Sequence, residues 1–142
     1  MKISTDKISF ETNGNCDIID ITQRVEKVLE KSKIENGLLN VFIAGATGAI
    51  TTIEHEPGLV SDFKNLLKKI VGELGEYQHD ITHSDKNATS HLRASLLGPS
   101  LTVPVENGKM VLGTWQQIIF VDMDNRSRKR EVLIKIIGNE SN

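Results

Sequence analysis

The chain has one cysteine, three prolines, one tryptophan and only 4% aromatic residues in 142 positions. Each scarcity excludes something. A lone Cys16 forbids an internal disulfide and a thiolate-rich zinc site. It lies in the polar stretch Asn13–Asp17, with no histidine beside it, and reads as incidental. Few aromatics exclude base-stacking platforms, and a net charge of -2 gives no general attraction to nucleic acid or anionic membranes. No window approaches the roughly 20 apolar residues of a membrane span. The first ten residues, MKISTDKISF, hold no long apolar stretch of the signal-peptide kind, so the cytoplasm is the expected location. A 38% hydrophobic content over this length suits one domain, residues 1–142, with a sizeable core.

Against this background the stretch from His79 to Gln117 stands out. Three of the four histidines, His79, His83 and His91, lie at its front, with Asp80 and Asp85 between them. Neutral imidazoles and carboxylates this close make a metal or acid/base site. His79 and His83 are four residues apart and share a face in a helix and in a strand alike.

Residues 1–12 alternate with one slip and predict an edge strand. Asp20-Ile21-Thr22-Gln23 resembles a capping box, and Ile21, Val25, Val28 and Leu29 keep helical spacing up to Gly37. Leu38–Ala44 and Ala49–Glu54 read as strands. Pro57-Gly58 opens an amphipathic helix, carrying Leu59, Phe63, Leu66, Leu67, Ile70, Val71 and Leu74 to Gly75. A short helix capped by Asn87 or Thr89 is expected to turn Leu92, Leu96 and Leu97 inward. Strands follow at Leu101–Val105, Lys109–Leu112, Gln117–Met123 and Arg130–Ile137. The pattern predicts an α+β single domain, a mostly antiparallel sheet with two long helices packed on one face.

Ser100–Gly108 (SLTVPVENG) followed by Gly113–Ile118 (GTWQQI) resembles the signature of the YjbQ-like family, uncharacterised protein family 0047. Gly37–Phe42, Glu54–Pro57, Tyr77–Asp80, Ser90–Ser95 and Ile136–Gly138 extend the resemblance over most of the chain. It implies a homotrimer, a metal-compatible histidine cluster near subunit contacts, and the activity of a secondary thiamine-phosphate synthase. That reaction, a weak side activity, joins hydroxymethylpyrimidine diphosphate to a thiazole phosphate and releases pyrophosphate. A metal ion, Arg93 and backbone amides are the expected stabilisers of the leaving group. The chain is far shorter than the roughly 250 residues of a (β/α)₈ barrel.

One departure matters. Many relatives of this kind carry His-Thr-Thr/Ser-Ala after the central strand, whereas this chain has Gly45-Ala46-Thr47-Gly48-Ala49. Gly45 cannot bind a metal, and His83 is the substitute. The candidate ligands are therefore His79, His83, His91 and Asp80, for a divalent metal, zinc first.

The candidate catalytic residues are Glu54, His79, His91 and Arg93. Glu54 ends a strand and is a base or ligand; Arg93 pairs with a phosphate or is an ordinary exposed helix arginine. Thr47 and Gly48 form an anion cradle or a tight turn. Trp115 stacks on a heterocycle or packs in the core or trimer interface, and Gln116 orients a polar group. His55 reads as a surface residue, Ser95 as a hydrogen-bonding one, and the basic run Asn125–Arg130 as a solvated turn. A small phosphorylated metabolite is the expected ligand. Metal-assisted hydrolysis and a non-catalytic metal- or metabolite-binding trimer remain alternatives.

Overall fold

The apolar run Ile118–Val121 is buried on both sides, and the architecture is arranged around it. It lies in β7 (Gln117–Asp122), the central strand of a three-stranded antiparallel sheet with β2 (Asp17–Asp20) and β4 (Gly48–Ile53). Successive side chains of a strand point to opposite faces. Ile118 and Phe120 enter one core, Ile119 and Val121 another.

The first core lies against a five-stranded antiparallel sheet of order β1 (Lys2–Thr12), β8 (Arg128–Glu140), β3 (Ile34–Ile43), β5 (Ser100–Glu106) and β6 (Lys109–Met110). Leu39, Val41, Val132, Ile134 and Ile136 face inward, and α1 (Thr22–Ser32) adds Val25, Val28 and Leu29. The second core packs Cys16, Ile18, Ile119, Val121 and Met123 against Leu67 of α2 (Pro57–Ile70) and Ala94 of α4 (Ala88–Leu97). A one-turn α3 (Gln78–Thr82) joins the last two helices. The computed structural model describes residues 1–141. The fold is α+β, one domain with a curled antiparallel sheet and few helices. Its two long helices serve different cores, α1 the first and α2 the second. No helix among the described residues is long and apolar enough to cross a membrane.

The edge strand and its slip are present: Ile3 points outward, whereas Ile8 and Phe10 pack on the first core. Other boundaries differ. α1 stops at Ser32 because Lys33 turns left-handed (φ 62°) and Ile34 begins β3, so the helical reading to Gly37 ran into a strand. There Gly37 faces Gly138 so closely that a Cβ on either would come within 2.1 Å of a backbone oxygen. The Asp20 carboxylate does not form a capping box; it accepts the Thr22 N–H (2.9 Å) and hydroxyl (2.6 Å). α2 ends at Val71, leaving Leu66, Ile70 and Leu74 exposed. Leu92 and Leu96 are exposed too, because α4 turns Ala88, Ser90, Arg93 and Ala94 inward.

The basic run is the largest correction. Arg128 and Arg130 are the first residues of β8's inward row, not a solvated turn. Arg130 Nε and Nη2 each donate at 2.8 Å to the fully buried Asp122, and Nη2 also reaches Thr47 Oγ1 at 2.9 Å. Arg128 pairs with buried Asp124 through Nε at 2.7 Å. Thr12 donates its hydroxyl to Asp122. Burial pushes both carboxyls up, but the hydrogen bonds and charges of Arg130 and Arg128 outweigh it and hold both below the ordinary carboxylate value.

A depressed folded-state value contributes stability above the unfolded value, near 3.8, and loses it as pH falls through the folded one. Chemical denaturation at a series of pH values is expected to show a flat stability down to about pH 5 and a decline below about pH 4. Arg130→Ala leaves Asp122 buried without its cation and is expected to cost about 3–5 kcal/mol at neutral pH. Its stability then falls less steeply with acid than that of the wild type. A variant within about 0.5 kcal/mol of wild type would show the pair to be dispensable.

Candidate functional site

The histidine segment is held at both ends. Glu56 caps α2, its carboxylate accepting the Gly58 and Leu59 amides at 2.8 and 2.7 Å. After α2, the Tyr77 hydroxyl returns to Gly72 O, and α3 begins. Asp80 Oδ1 accepts the Ala88 amide at 3.1 Å, satisfying one open donor at the start of α4. His79 and Asp80 sit in α3, His83 at its C-cap, and His91 in α4.

These elements bring the three histidines together. The His79 and His83 rings stack at 4.4 Å between centroids, with an interplanar angle of 18°. His91 meets His79 edge to face at 4.9 Å. Beside them lies a cleft of about 330 Å³ lined by Tyr77, Gln78, His79, Ala88, His91 and Leu92.

One hydrogen bond assigns the neutral tautomer of His79. Buried Asn87 presents its side-chain amide oxygen, which can only accept. That oxygen lies 3.0 Å from His79 Nε2, which therefore carries the proton and leaves a lone pair on Nδ1. The Thr82 hydroxyl lies 3.3 Å from the helix carbonyls of Gln78 and His79 and 2.9 Å from His83 Nδ1. One imidazole with a free lone pair and two more adjoining it fit a borderline metal by donor chemistry. In this arrangement, however, no group of three or more His, Cys, Asp or Glu among the described residues is gathered to hold an ion. The stacked rings lie face to face and Asp80 is engaged as a helix cap; the exposed His83 has freedom to turn.

The remaining candidates separate along β4. Thr47, just before it, is buried between Arg130 and Asp124. Gly48 begins the strand, and a Cβ there would come within 2.7 Å of the Phe120 ring. These residues belong to the buried ion network, and the close ring contact explains the glycine. A Cβ at Gly45 meets only Arg130 Nη1, at 3.7 Å.

Glu54 lies beyond the opposite end, exposed, seven residues or about 23 Å of extended chain from Thr47. Trp115 and Gln116 lie at that far end as well, preceding Gln117, which pairs with Ile53. Trp115 is 72% exposed and so is not a core residue. Gln116 closes its own turn, accepting the Gly113 amide and donating to Thr52.

His55 is exposed, its Nε2 3.2 Å from Ile18 O. Ser95 donates to His91 O, and exposed Asp85 offers its backbone oxygen to Asn125. Arg93 is 7% exposed, neither a surface arginine nor a lining residue of the histidine cleft. Cys16 lies in the bend before β2 and is buried, with a left-handed backbone (φ 66°).

Sequence reasoning missed Asn87, Asp122 and Asp124. The available signal was spacing: two carboxylates two apart end an apolar run, and two arginines two apart open the next strand. If Asn87 sets the tautomer, ¹⁵N-detected imidazole spectra will show His79 protonated on Nε2 in the wild type and a mixture of tautomers in Asn87→Ala. An unchanged His79 pattern in the variant would remove Asn87 from this role.

The profile of the family described as UPF0047 protein YjbQ-like matches residues 6–139. A UPF0047 protein of Methanothermobacter thermautotrophicus is 44% identical over 138 residues, covering 97% of this chain and 94% of that one. A UPF0047 protein of Archaeoglobus fulgidus is 40% identical, over 92% of this chain and 99% of its own. The crystal structure of a YbjQ-like protein of unknown function from Sulfolobus solfataricus superposes with a TM-score of 0.92 at 37% identity, covering 97% of this chain and 99% of its own. By profile, sequence and fold together, this chain belongs to the UPF0047, YjbQ-like family.

Proposed function

We propose that this protein is an enzyme of small phosphorylated heterocycles, working at the His79–His83–His91 cleft with a divalent metal, zinc first. The reaction proposed is of the secondary thiamine-phosphate synthase type. The supporting observation is the meeting of three of the four histidines, 4.4 and 4.9 Å between ring centroids, beside a cleft with the apolar walls Tyr77, Ala88 and Leu92. Such walls seat an aromatic ring and exclude water. In this reading His79 Nδ1, His91 and a turned His83 hold the ion, and Asn87 keeps the His79 lone pair available. A bound divalent ion supplies charge stabilisation at a phosphate oxygen. The condensation needs no protein nucleophile. Glu54, Trp115 and Gln116, at the far end of β4, are not assigned to this cleft.

Metal content of the purified protein is the test. Near-stoichiometric zinc or another transition metal is expected, and it should be lost in His79→Ala/His91→Ala together with thiamine phosphate formation from its two precursors. A metal-free wild type that still turns over would overturn the metal; a metal-loaded protein without condensation would point instead to metal-assisted hydrolysis.

We also propose assembly as a homotrimer. An exposed apolar row, Ile3, Ile137, Leu38 and Pro104, crosses four adjacent strands in direct register on the outer face of the larger sheet. Sedimentation velocity should give three times the 15.7 kDa chain mass, and Leu38→Glu should shift it towards the monomer. A monomeric wild type rules the trimer out.

A further inference from the structure

A second cavity, of about 350 Å³, opens on the opposite side of α4 from the histidines. On a helix, Ala88, His91 and Leu92 share one face, and Thr89, Ser90 and Arg93 the other. Arg93 lines this second cavity, and its partners are too few. Nη2 donates to Val71 O at 2.7 Å, while the largely exposed Glu73 comes no closer than 3.9 Å. Arg93 Nε is the one buried side-chain polar atom among the described residues without a hydrogen-bond partner. Arg130 shows how this fold treats its other well-buried guanidinium: two bonds of 2.8 Å to one carboxylate. A buried guanidinium whose only carboxylate is largely exposed and 3.9 Å away is under-compensated. Arg93 thus has donor capacity left for a partner from outside the chain.

The other lining groups agree. Lys68, from the last turn of α2, and Lys86 add two cations. The amides of Thr89 and Ser90 are in the first turn of α4, where no intrahelical acceptor exists and the dipole favours negative charge. Asp80, one of two acidic residues at the cavity, already accepts the Ala88 amide. Cys16 closes one wall; burial pushes its thiol up, so at neutral pH it adds no negative charge.

We propose that this cavity is a phosphate-binding site, in which Arg93, Lys68, Lys86 and the α4 amides receive a phosphate group. It stands apart from the histidine cleft and needs no metal. Titrating the ¹⁵N-labelled whole chain with inorganic phosphate and, separately, with methyl phosphate tests it. Saturable shifts are expected at the amides of Cys16, Lys68, Thr89 and Ser90.

Arg93→Ala risks the fold, so Lys68→Ala and Lys86→Ala carry the test; each should weaken binding about tenfold. His79→Ala/His91→Ala should keep its phosphate affinity, which separates this site from any metal in the cleft. Binding of both probes marks a site for the esterified phosphate of an organic metabolite. Binding of inorganic phosphate alone marks a free-anion site, and either outcome supports the proposal. It fails if those amides do not move saturably, or if both lysine variants bind as the wild type does.

Discussion

The Asp122–Arg130 contact is the constraint on which the rest of the structure depends. Asp122 ends the doubly buried β7, so its charge enters a region without water. Such a charge is tolerated only when a well-aligned cation and further hydrogen bonds face it. Arg130 comes from β8 of the other sheet, Thr12 from the end of β1, and Thr47 from the start of β4. One carboxylate thus fixes how the two sheets meet. Its neighbour Asp124 extends the same network to Arg128 at 2.7 Å and to Thr47 at 3.5 Å.

α4 shows how a helix can be both core and site. Its buried residues are small apart from Arg93, so it approaches β4 closely, with only Ala94 and the partly buried Leu97 in the second core. The larger leucines, Leu92 and Leu96, are left outside, and Leu92 forms a wall of the histidine cleft. A helix built to bury leucines would have closed that cleft. The periodicity of α4 is consequently weak, and the inward turn of Leu92 and Leu96 predicted from sequence does not occur.

What the sequence made legible follows the range of the interactions involved. The paired histidines were readable because residues four apart share a face in any regular structure, and one turn of α3 suffices to stack them. The α+β class and the central strands were readable because Leu38–Ile43 is apolar apart from Asn40 and Ile118–Val121 is a continuous apolar run. The four-residue β2 was not, because its place depends on pairing with β7. Arg128 and Arg130 look solvated in sequence because their partners, Asp124 and Asp122, lie across a turn. The same holds for Cys16, whose polar neighbours conceal a fold that turns it onto Met123 and Ile119. The division of the candidates between the two ends of β4 is likewise a tertiary fact. Nothing in the spacing of Thr47 and Glu54 reveals that a whole strand separates them.

Asp80 links the histidine segment to the wall of the Arg93 cavity, and its chemistry bears on how the two sites coexist. It follows His79 in α3 and lines the cavity of Arg93, while its Oδ1 holds the Ala88 amide that starts α4. A carboxylate bonded to a helix N-terminus is partly neutralised by the helix, which reduces its repulsion of an anion nearby. Taken as a metal ligand instead, it would have to release that amide and leave the first turn of α4 unsatisfied. The helix that carries both His91 and Arg93 would then lose its start. The cap role therefore suits both cavities, since it keeps α4 fixed between them, and it keeps the Asp80 carboxylate from serving as a metal ligand.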